Sequence, residues 1–331
     1  MSGRLKLAVV GFGSIGRHHA RNLATLRDVD FFGVVDTSET ARADAARLGY
    51  RTLRSSRELI AAGVDAAVVA VPTTLHHSVA LELLGAGIPL LVEKPVASTL
   101  EDGIEIIDAA RRRKLPLMVG YVERFNPAVI AAQRLMKDGL VGTPLHVATR
   151  RVGGMPIRVT DANVIVDIGV HDIDIISFLL QTELRLVSAQ GGMAVSVDRV
   201  DYASLALDGG GVVAHATVNW VTPVKVRDLI ITGSSGYLQV DYLRQRTHFA
   251  PGRDFVVTES YEAVVAQYEQ GTLVEIEIDR QEPLRLQLER FVAVLRGEAE
   301  PPDPQVSLVS LRIALEATEM IERAQRVEAV R

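Results

Sequence analysis

The chain has 331 residues, of which 48% are hydrophobic and 23% are charged, and this apolar content can fill the cores of about two domains. The formal net charge of −5 provides no basic excess for binding nucleic acid or an anionic membrane surface. Because the sequence contains no cysteine, disulfides, cysteine zinc sites, iron–sulfur clusters and a thiolate nucleophile are excluded.

The N-terminus predicts a strand and a glycine turn rather than a secretory signal. Arg4 and Lys6 precede an apolar stretch, as they would in a signal sequence, but Gly11 and Gly13 interrupt that stretch. No apolar run approaches the ~18 residues that a membrane span requires. We therefore expect a cytoplasmic protein that does not enter a membrane.

The first third of the chain alternates short apolar runs with helix-like segments. Continuous apolar runs suit strands that are buried on both faces of a parallel sheet. The predicted strands are 5–10, 31–35, 66–71, 88–92 and 117–119, and the predicted helices between them include 15–26, 75–84 and 104–113. Strand–helix alternation implies right-handed crossovers, so residues 1–122 are predicted to form one doubly wound α/β domain.

After Tyr121 the pattern changes to one helix and a series of strands. A helix is predicted at 127–137, and strand-like runs separated by turn signals follow at 145–151, 185–190, 202–207, 212–219, 226–232, 237–241 and 273–278. This pattern predicts a second α/β domain at 123–304 with a large open, mainly antiparallel sheet. Residues 305–331 are predicted to form a last helix that packs back on the core, with an apolar stripe at Val309, Ile313, Ala317, Met320 and Ala324.

A glycine-rich turn joins the first predicted strand to the first predicted helix. Its sequence is Gly11-Phe12-Gly13-Ser14-Ile15-Gly16. Gly11 permits a tight turn, Gly13 leaves room for a pyrophosphate, and Gly16 permits close packing of the helix on the sheet. The N-terminus of the helix would present N–H groups to the phosphates. The turn predicts a dinucleotide site, and the alternative is a plain glycine turn.

Asp36 ends the second predicted strand and favours NAD over NADP. Its carboxylate can accept hydrogen bonds from both hydroxyls of the adenosine ribose and would repel a 2′-phosphate. No arginine follows directly, and the nearest one, Arg42, lies one or two turns into the next helix. The alternative for Asp36 is a turn or helix-capping residue.

Two further groups of polar residues are candidates for the chemistry. Lys94 follows the strand at 88–92, where ligands of open α/β sheets bind; the alternative is an ordinary surface lysine. Asp167 and His171 are four residues apart and would share a helix face, with Asp174 close to it. The alternatives are a structural histidine with capping aspartates, or a divalent metal site. Because no second histidine is nearby, we predict no metal.

Together these motifs resemble the Gfo/Idh/MocA (glucose–fructose oxidoreductase and inositol dehydrogenase) family over essentially the whole chain. The elements that carry the resemblance are the glycine turn with Arg17, Asp36, the Val71-Pro72-Thr73-Thr74-Leu75-His76 turn, Glu93-Lys94-Pro95, Gly120-Tyr121, and Asp167-x-Gly169-x-His171. The resemblance implies an N-terminal Rossmann domain, a C-terminal α/β domain, bound NAD, and a homodimer or homotetramer. It also implies a cis peptide bond between Lys94 and Pro95.

The same resemblance implies roles for individual residues. Lys94, Asp167 and His171 match the usual catalytic set. The implied cofactor-binding residues are Gly11, Phe12, Gly13, Ser14, Ile15, Gly16, Asp36, Val71, Pro72, Thr73, His76, Glu93, Lys94 and Arg124.

Two short stretches are similar to one branch of the family, the enzymes that oxidise carbon 3 of UDP-sugars, notably the UDP-N-acetylglucosamine 3-dehydrogenases. These stretches are Tyr121-Val122-Glu123-Arg124-Phe125-Asn126-Pro127 and Asp241-Tyr242-Leu243. The implied substrate-binding residues are Lys94, Tyr121, Arg124, Asp167 and His171. Arg124 is interpreted either as a contact to the nicotinamide region or a substrate phosphate, or as a salt bridge at the domain junction. Further candidate cations for a diphosphate are Arg150, Arg151 and Arg158, and the alternative is that they are ordinary solvated surface residues.

In the predicted reaction, a hydride passes to NAD from a sugar carbon that carries a hydroxyl group, and the hydroxyl group loses its proton. His171 is the predicted general base, since imidazole exchanges protons near neutral pH. Lys94 donates to the substrate oxygen, although a base role for it stays open, and Asp167 orients His171 or binds a neighbouring hydroxyl. The competing hypotheses are a dehydrogenase of free polyols or sugars, an NAD-dependent glycosidase, and a non-catalytic NAD-sensing regulator.

Overall fold

The computed structural model describes residues 3–155, 162–252 and 273–329. The chain divides into two units, one formed by Met1–Val122 with Glu282–Arg312 and the other by Glu123–Gln281 with Ile313–Arg331. Among the helices within these described ranges, none is both long and apolar enough to cross a membrane.

A six-stranded parallel sheet forms the centre of the first unit. Its strands are β1 (Leu5–Val10), β2 (Val29–Val35), β3 (Thr52–Leu53), β4 (Ala66–Val69), β5 (Leu90–Glu93) and β6 (Leu117–Gly120). They lie in the order β3-β2-β1-β4-β5-β6, with every neighbouring pair parallel. This order is that of a Rossmann fold, whose ligand crevice lies where the order reverses, between β1 and β4. The predicted doubly wound sheet is therefore confirmed.

The helices that connect these strands, within residues 1–122, follow the predicted strand–helix alternation. They are α1 (Ser14–Leu23), α2 (Glu39–Arg47), α3 (Ser56–Ala61), α4 (His76–Gly85) and α5 (Leu100–Arg113). The hydroxyl of Thr99 caps α5 by accepting from the Asp102 N–H, which explains why that helix starts earlier than predicted. β3 and α3 are new relative to the sequence analysis, because elements of two and six residues are too short to show a clear hydrophobic period.

An eight-stranded, mainly antiparallel sheet forms the centre of the second unit, as predicted. Its strands are β7 (Pro144–Gly154), β8 (Arg185–Gly192), β9 (Tyr202–Gly209), β10 (Val212–Asn219), β11 (Val221–Gly233), β12 (Gly236–Asp241), β13 (Arg246–Pro251) and β14 (Val274–Ile276). The order is β14-β13-β12-β11-β7-β10-β9-β8, and β7 and β10 are the parallel pair among these strands.

One face of this second sheet is covered and the other is open. Helices α6 (Pro127–Lys137) and α7 (Val170–Leu180) pack on one face, where alternate residues such as Ala216 and Val218 are buried. On the opposite face Val213 and Tyr202 are half exposed. The homodimer or homotetramer implied by the resemblance stays a prediction.

The C-terminal part of the chain forms two helices, α8 (Pro283–Leu295) and α9 (Val306–Ala329). The segment 282–304, which the sequence analysis placed in the second domain, belongs to the first unit instead. The apolar stripe of α9 is also shifted, because Met320 is 40% exposed whereas Ile321 is buried. The predicted buried positions are therefore correct at Ile313 and Ala317, whereas near the end of the helix the buried residue is Ile321 and not Met320.

Candidate functional site

The glycine turn between β1 and α1 requires glycine at its first and last positions. Gly11 has φ +97°, and a Cβ atom there would lie 2.5 Å from the carbonyl oxygen of Ala70. A Cβ atom at Gly16 would lie 2.0 Å from the carbonyl oxygen of Gly11. Both positions bring backbones into direct contact, so the turn and α1 pack tightly at the end of the sheet.

The N-terminus of α1 is shaped to receive an anion. Gly13 is the N-cap residue, no side chain caps the helix, and its first turn contains no acidic residue. A Cβ atom at Gly13 would have no atom within 4 Å, and Ser14 and Ile15 beside it are exposed. Uncapped N–H groups at an open helix N-terminus fit the pyrophosphate of a dinucleotide. The residues present therefore fit the implied cofactor.

Asp36 lies at the end of β2 beside this turn. Its Oδ2 accepts from the Phe12 N–H at 2.7 Å and its Oδ1 accepts from the Ser38 N–H at 2.8 Å. Arg42, the nearest base, donates to the carbonyl oxygens of Asp36 and Thr37, both at 2.8 Å. Asp36 is thus a turn residue, as the alternative interpretation expected. Because each carboxylate oxygen has a further lone pair, it can also accept from ribose hydroxyls.

Replacing Asp36 with Ala tests that second role. We expect the preference for NAD over NADP, as a ratio of kcat/KM values, to fall about tenfold or more, since a hydrogen bond to a charged group contributes about 1.5–3 kcal/mol. Steady-state kinetics with both cofactors measures the ratio. Asp30→Ala, which removes an exposed carboxylate at the other end of β2, is the control. An unchanged ratio in Asp36→Ala would rule out the ribose contact.

Lys94 follows the last residue of β5, as predicted, and the Lys94–Pro95 peptide bond is cis, as the resemblance implied. Lys94 itself is half-buried. Glu93 points into the first unit, where its carboxylate is 2.6 Å from Nε2 of the buried His19. The predicted cofactor contact of Glu93 is therefore not supported, because a buried histidine occupies its carboxylate.

The turn at 71–76 holds a second buried histidine. Nδ1 of His76 is 2.9 Å from the Pro95 carbonyl oxygen and Nε2 is 3.0 Å from that of Val71. Burial lowers the pKa of His76, although these carbonyls act to raise it. Both ring nitrogens of His76 thus face backbone carbonyls, which holds the turn in place, and its predicted contact with the cofactor stays a prediction. Val71, Pro72 and Thr73 are half-buried or exposed beside it.

Asp167 and His171 lie where a turn of π-helix, Ile165–Gly169, runs directly into α7. Asn163 starts this turn, since its Oδ1 accepts from the N–H groups of Ile165 and Val166. A regular α-helix was predicted here, whereas the structure places Asp167 in the π-turn and His171 in the first turn of α7. Both are half-buried.

Arg124 and Asp174 form a buried, bidentate salt bridge in the second unit. Nε of Arg124 donates to Oδ2 of Asp174 at 2.8 Å, and Nη2 donates to Oδ1 at 2.5 Å. The structure thus gives Arg124 the protein partner that one interpretation expected, and its contact with cofactor or substrate stays a prediction. Tyr121 is 2% exposed, which disfavours the predicted contact with substrate.

Two of the three arginines expected to bind a diphosphate are paired with carboxylates of the protein. Arg151 is 1% exposed and donates to Glu123 at 2.9 Å and to Asp172 at 3.0 Å, so it is a core residue. Arg150 is exposed and paired with Asp228. Arg158 lies outside the described residues.

Two buried pairings were not predicted from the sequence: His19 with Glu93, and Arg151 with Glu123 and Asp172. Their partners are far apart in the chain, and local periodicity carries no signal for such pairs.

Lys94 belongs to the first unit and His171 to the second, so their meeting at one substrate stays a prediction. Over the described ranges, no three histidine, aspartate or glutamate residues are grouped as metal ligands would be.

Comparisons with known families match both parts of the chain. Residues 5–121 match the oxidoreductase family with an NAD-binding Rossmann fold, and residues 129–239 match the GFO/IDH/MocA C-terminal domain.

Two curated relatives and one solved structure show what the chain is similar to. It is 32% identical to the UDP-N-acetylglucosamine 3-dehydrogenase of Acidithiobacillus ferrooxidans over 74% of this chain and 76% of the relative. It is 33% identical to inositol 2-dehydrogenase 2 of Saccharopolyspora erythraea, over 60% of each chain. The solved UDP-N-acetylglucosamine 3-dehydrogenase GnnA from A. ferrooxidans superposes with a TM-score of 0.84 at 27% identity, covering 97% of this chain and 98% of that one.

Proposed function

We propose that this chain, which belongs to the GFO/IDH/MocA oxidoreductase family and is an NAD-dependent sugar dehydrogenase, oxidises carbon 3 of a UDP-sugar such as UDP-N-acetylglucosamine. The observation that carries the choice of substrate is the likeness to GnnA, which extends over 97% of this chain and 98% of that one. The stretch 121–127 supports the same branch of the family.

The first unit supplies the residues that would hold the cofactor. The N–H groups at the start of α1 would bind the pyrophosphate, and Asp36 would accept from the ribose hydroxyls. When bound, NAD supplies the two-electron acceptor for oxidation of the sugar carbon. The protein's own task is then to bind and orient the alcohol and to move its proton.

Three side chains are proposed for that task. A ring nitrogen of His171 takes the hydroxyl proton, because the ordinary pKa of imidazole, about 6.5, suits proton exchange near neutral pH. Nζ of Lys94 donates to the same oxygen and stabilises the negative charge that develops on it. Asp167 orients His171 or binds a neighbouring sugar hydroxyl.

A dehydrogenase of free polyols is the second candidate, and two observations favour it. The chain is 33% identical to an inositol 2-dehydrogenase over 60% of its length. In addition, Arg151 is buried and Arg150 is paired, so two of the three arginines predicted to bind a diphosphate are committed elsewhere.

A substrate panel separates the two candidates. With NAD present, we expect UDP-N-acetylglucosamine to raise the melting temperature and to drive NADH formation, while myo-inositol does neither. A ligand at about one hundred times its Kd stabilises the folded state by about 2.7 kcal/mol, which is readily measured as a thermal shift. UDP alone and N-acetylglucosamine alone are the controls for partial binding. NADH formation with free polyols but not with UDP-sugars would decide for the second candidate.

A further inference from the structure

A buried histidine–glutamate pair joins the cofactor-binding helix to the residue before Lys94. His19 lies in α1 and is fully buried, and Glu93 is the last residue of β5 and is 7% exposed. Nε2 of His19 and Oε1 of Glu93 are 2.6 Å apart although the residues are 74 positions apart in the chain. We propose that His19 and Glu93 are positioning residues that set the place of Lys94 relative to the glycine turn.

The surroundings of His19 indicate which of its ring nitrogens donates to Glu93. Nδ1 of His19 is buried and has no hydrogen-bond partner among the described residues. A proton on Nδ1 would therefore leave an unpaired N–H in the interior, which costs about 1–3 kcal/mol. Nε2 of His19 is therefore the nitrogen that donates, and Oε1 of Glu93 accepts.

Glu93 is fixed on its other sides as well. Its Oε2 accepts from the backbone N–H of Lys94 at 3.3 Å. A Cβ atom at Gly120 would lie 2.9 Å from both carboxylate oxygens, so the carboxylate rests directly on the end of β6. The carboxylate of Glu93 therefore contacts α1, β6 and the backbone of Lys94 at once, and it has little freedom to move.

The residue after Lys94 is held in a similar way. The carbonyl oxygen of Pro95 is 2.9 Å from Nδ1 of His76 at the start of α4. Both neighbours of Lys94 are thus attached to buried histidines from different helices. Because α1 also begins at the phosphate-binding turn, a shift of the His19–Glu93 pair would move Lys94 relative to the bound cofactor.

This inference rests on the proposed role of Lys94, and kinetics of purified variants tests both. His19→Leu removes the donor at similar volume, and we expect kcat to fall about 10- to 100-fold, since small misplacements of reacting groups have effects of this size. His19→Gln retains an N–H donor and should recover much of the loss. His18→Leu, an exposed neighbour in the same helix, should leave kcat unchanged.

A double-mutant cycle distinguishes positioning from general damage to the fold. If the pair acts through Lys94, His19→Leu should lower kcat in the wild-type chain but have no further effect in Lys94→Ala. Equal losses in both backgrounds, or wild-type kcat in His19→Leu, would overturn the inference. Wild-type turnover in Lys94→Ala would instead overturn the proposed role of Lys94 itself. If His19→Leu does not fold, as judged by NAD binding, Glu93→Gln takes its place in the same cycle.

Discussion

Purified Lys94→Ala and His171→Ala are each expected to lose about 10²–10⁴-fold in turnover while still binding NAD. The ammonium of Lys94 is proposed to stabilise charge on the substrate oxygen, and the imidazole of His171 is proposed to take its proton. Lys94 is one of several residues implied to contact the cofactor, but the glycine turn and Asp36, which are proposed to hold its pyrophosphate and ribose, are unchanged in both variants, so NAD should still bind. Steady-state NADH formation measures turnover, and titration with NAD measures binding.

The controls for this experiment come from the same residue types. Lys137→Ala removes an exposed lysine at the end of α6, and His215→Ala removes an exposed histidine on the open face of the second sheet. Both should retain near-normal turnover. Turnover close to wild type in Lys94→Ala or in His171→Ala would remove that residue from the mechanism.

Elements with strong local signals were predicted well from the sequence. β1 is found at Leu5–Val10 and α6 at Pro127–Lys137, both with the predicted bounds. The helix α6 has a sharp start because the side chain of Asn126 accepts from the Ala128 N–H and a proline occupies the first turn. Residues at the boundary itself determine where such a helix starts, so a single sequence is enough to predict it.

The candidate site was predicted less completely, because long-range burial decides the role of a polar side chain. The glycine turn carries its signal in the spacing of its glycines, and the requirement for glycine at Gly11 and Gly16 was predicted. His76, Glu93 and Arg151 were instead expected near cofactor or substrate, and each is buried against a distant partner. The residues next to a histidine, glutamate or arginine in the sequence do not indicate whether tertiary packing will bury that side chain.

Arg151 is the centre of a buried ionic cluster in the second unit. Its guanidinium lies 2.9 Å from Glu123 and 3.0 Å from Asp172, and it also lies over the ring of Tyr242. Burial raises the pKa of Asp172 to about 6, against the opposing effect of Arg151. For Glu123, burial likewise acts to raise the pKa, but Arg151 outweighs it and the pKa is lowered. Arg151 therefore keeps two interior carboxylates ionised.

Replacing Arg151 with Met is expected to lower the free energy of unfolding at neutral pH by about 3–5 kcal/mol, since it removes the nearest cation from two buried carboxylates and leaves the partly exposed Arg227, 3.8 Å from Glu123, beside them. The effect has a predictable dependence on pH. Without the guanidinium the folded-state pKa of Asp172, which already lies above its ordinary value, rises further, and the folded-state pKa of Glu123 rises as well. The folded state of the variant binds protons more tightly than the unfolded state, so its stability falls as pH increases through that window. The defect should shrink at acidic pH, where both carboxyls are protonated.

Urea denaturation of the variant at neutral and acidic pH measures this loss. Arg150→Met is the matched control, because Arg150 is the next residue on β7 and forms an exposed bridge to Asp228, which contributes about 0–1 kcal/mol. Adding Asp172→Asn to Arg151→Met should recover part of the stability, because it removes a buried carboxylate that has lost its closest cation. Equal losses for Arg150→Met and Arg151→Met, or a loss independent of pH, would show that packing of the side chain and not its charge stabilises this part of the core.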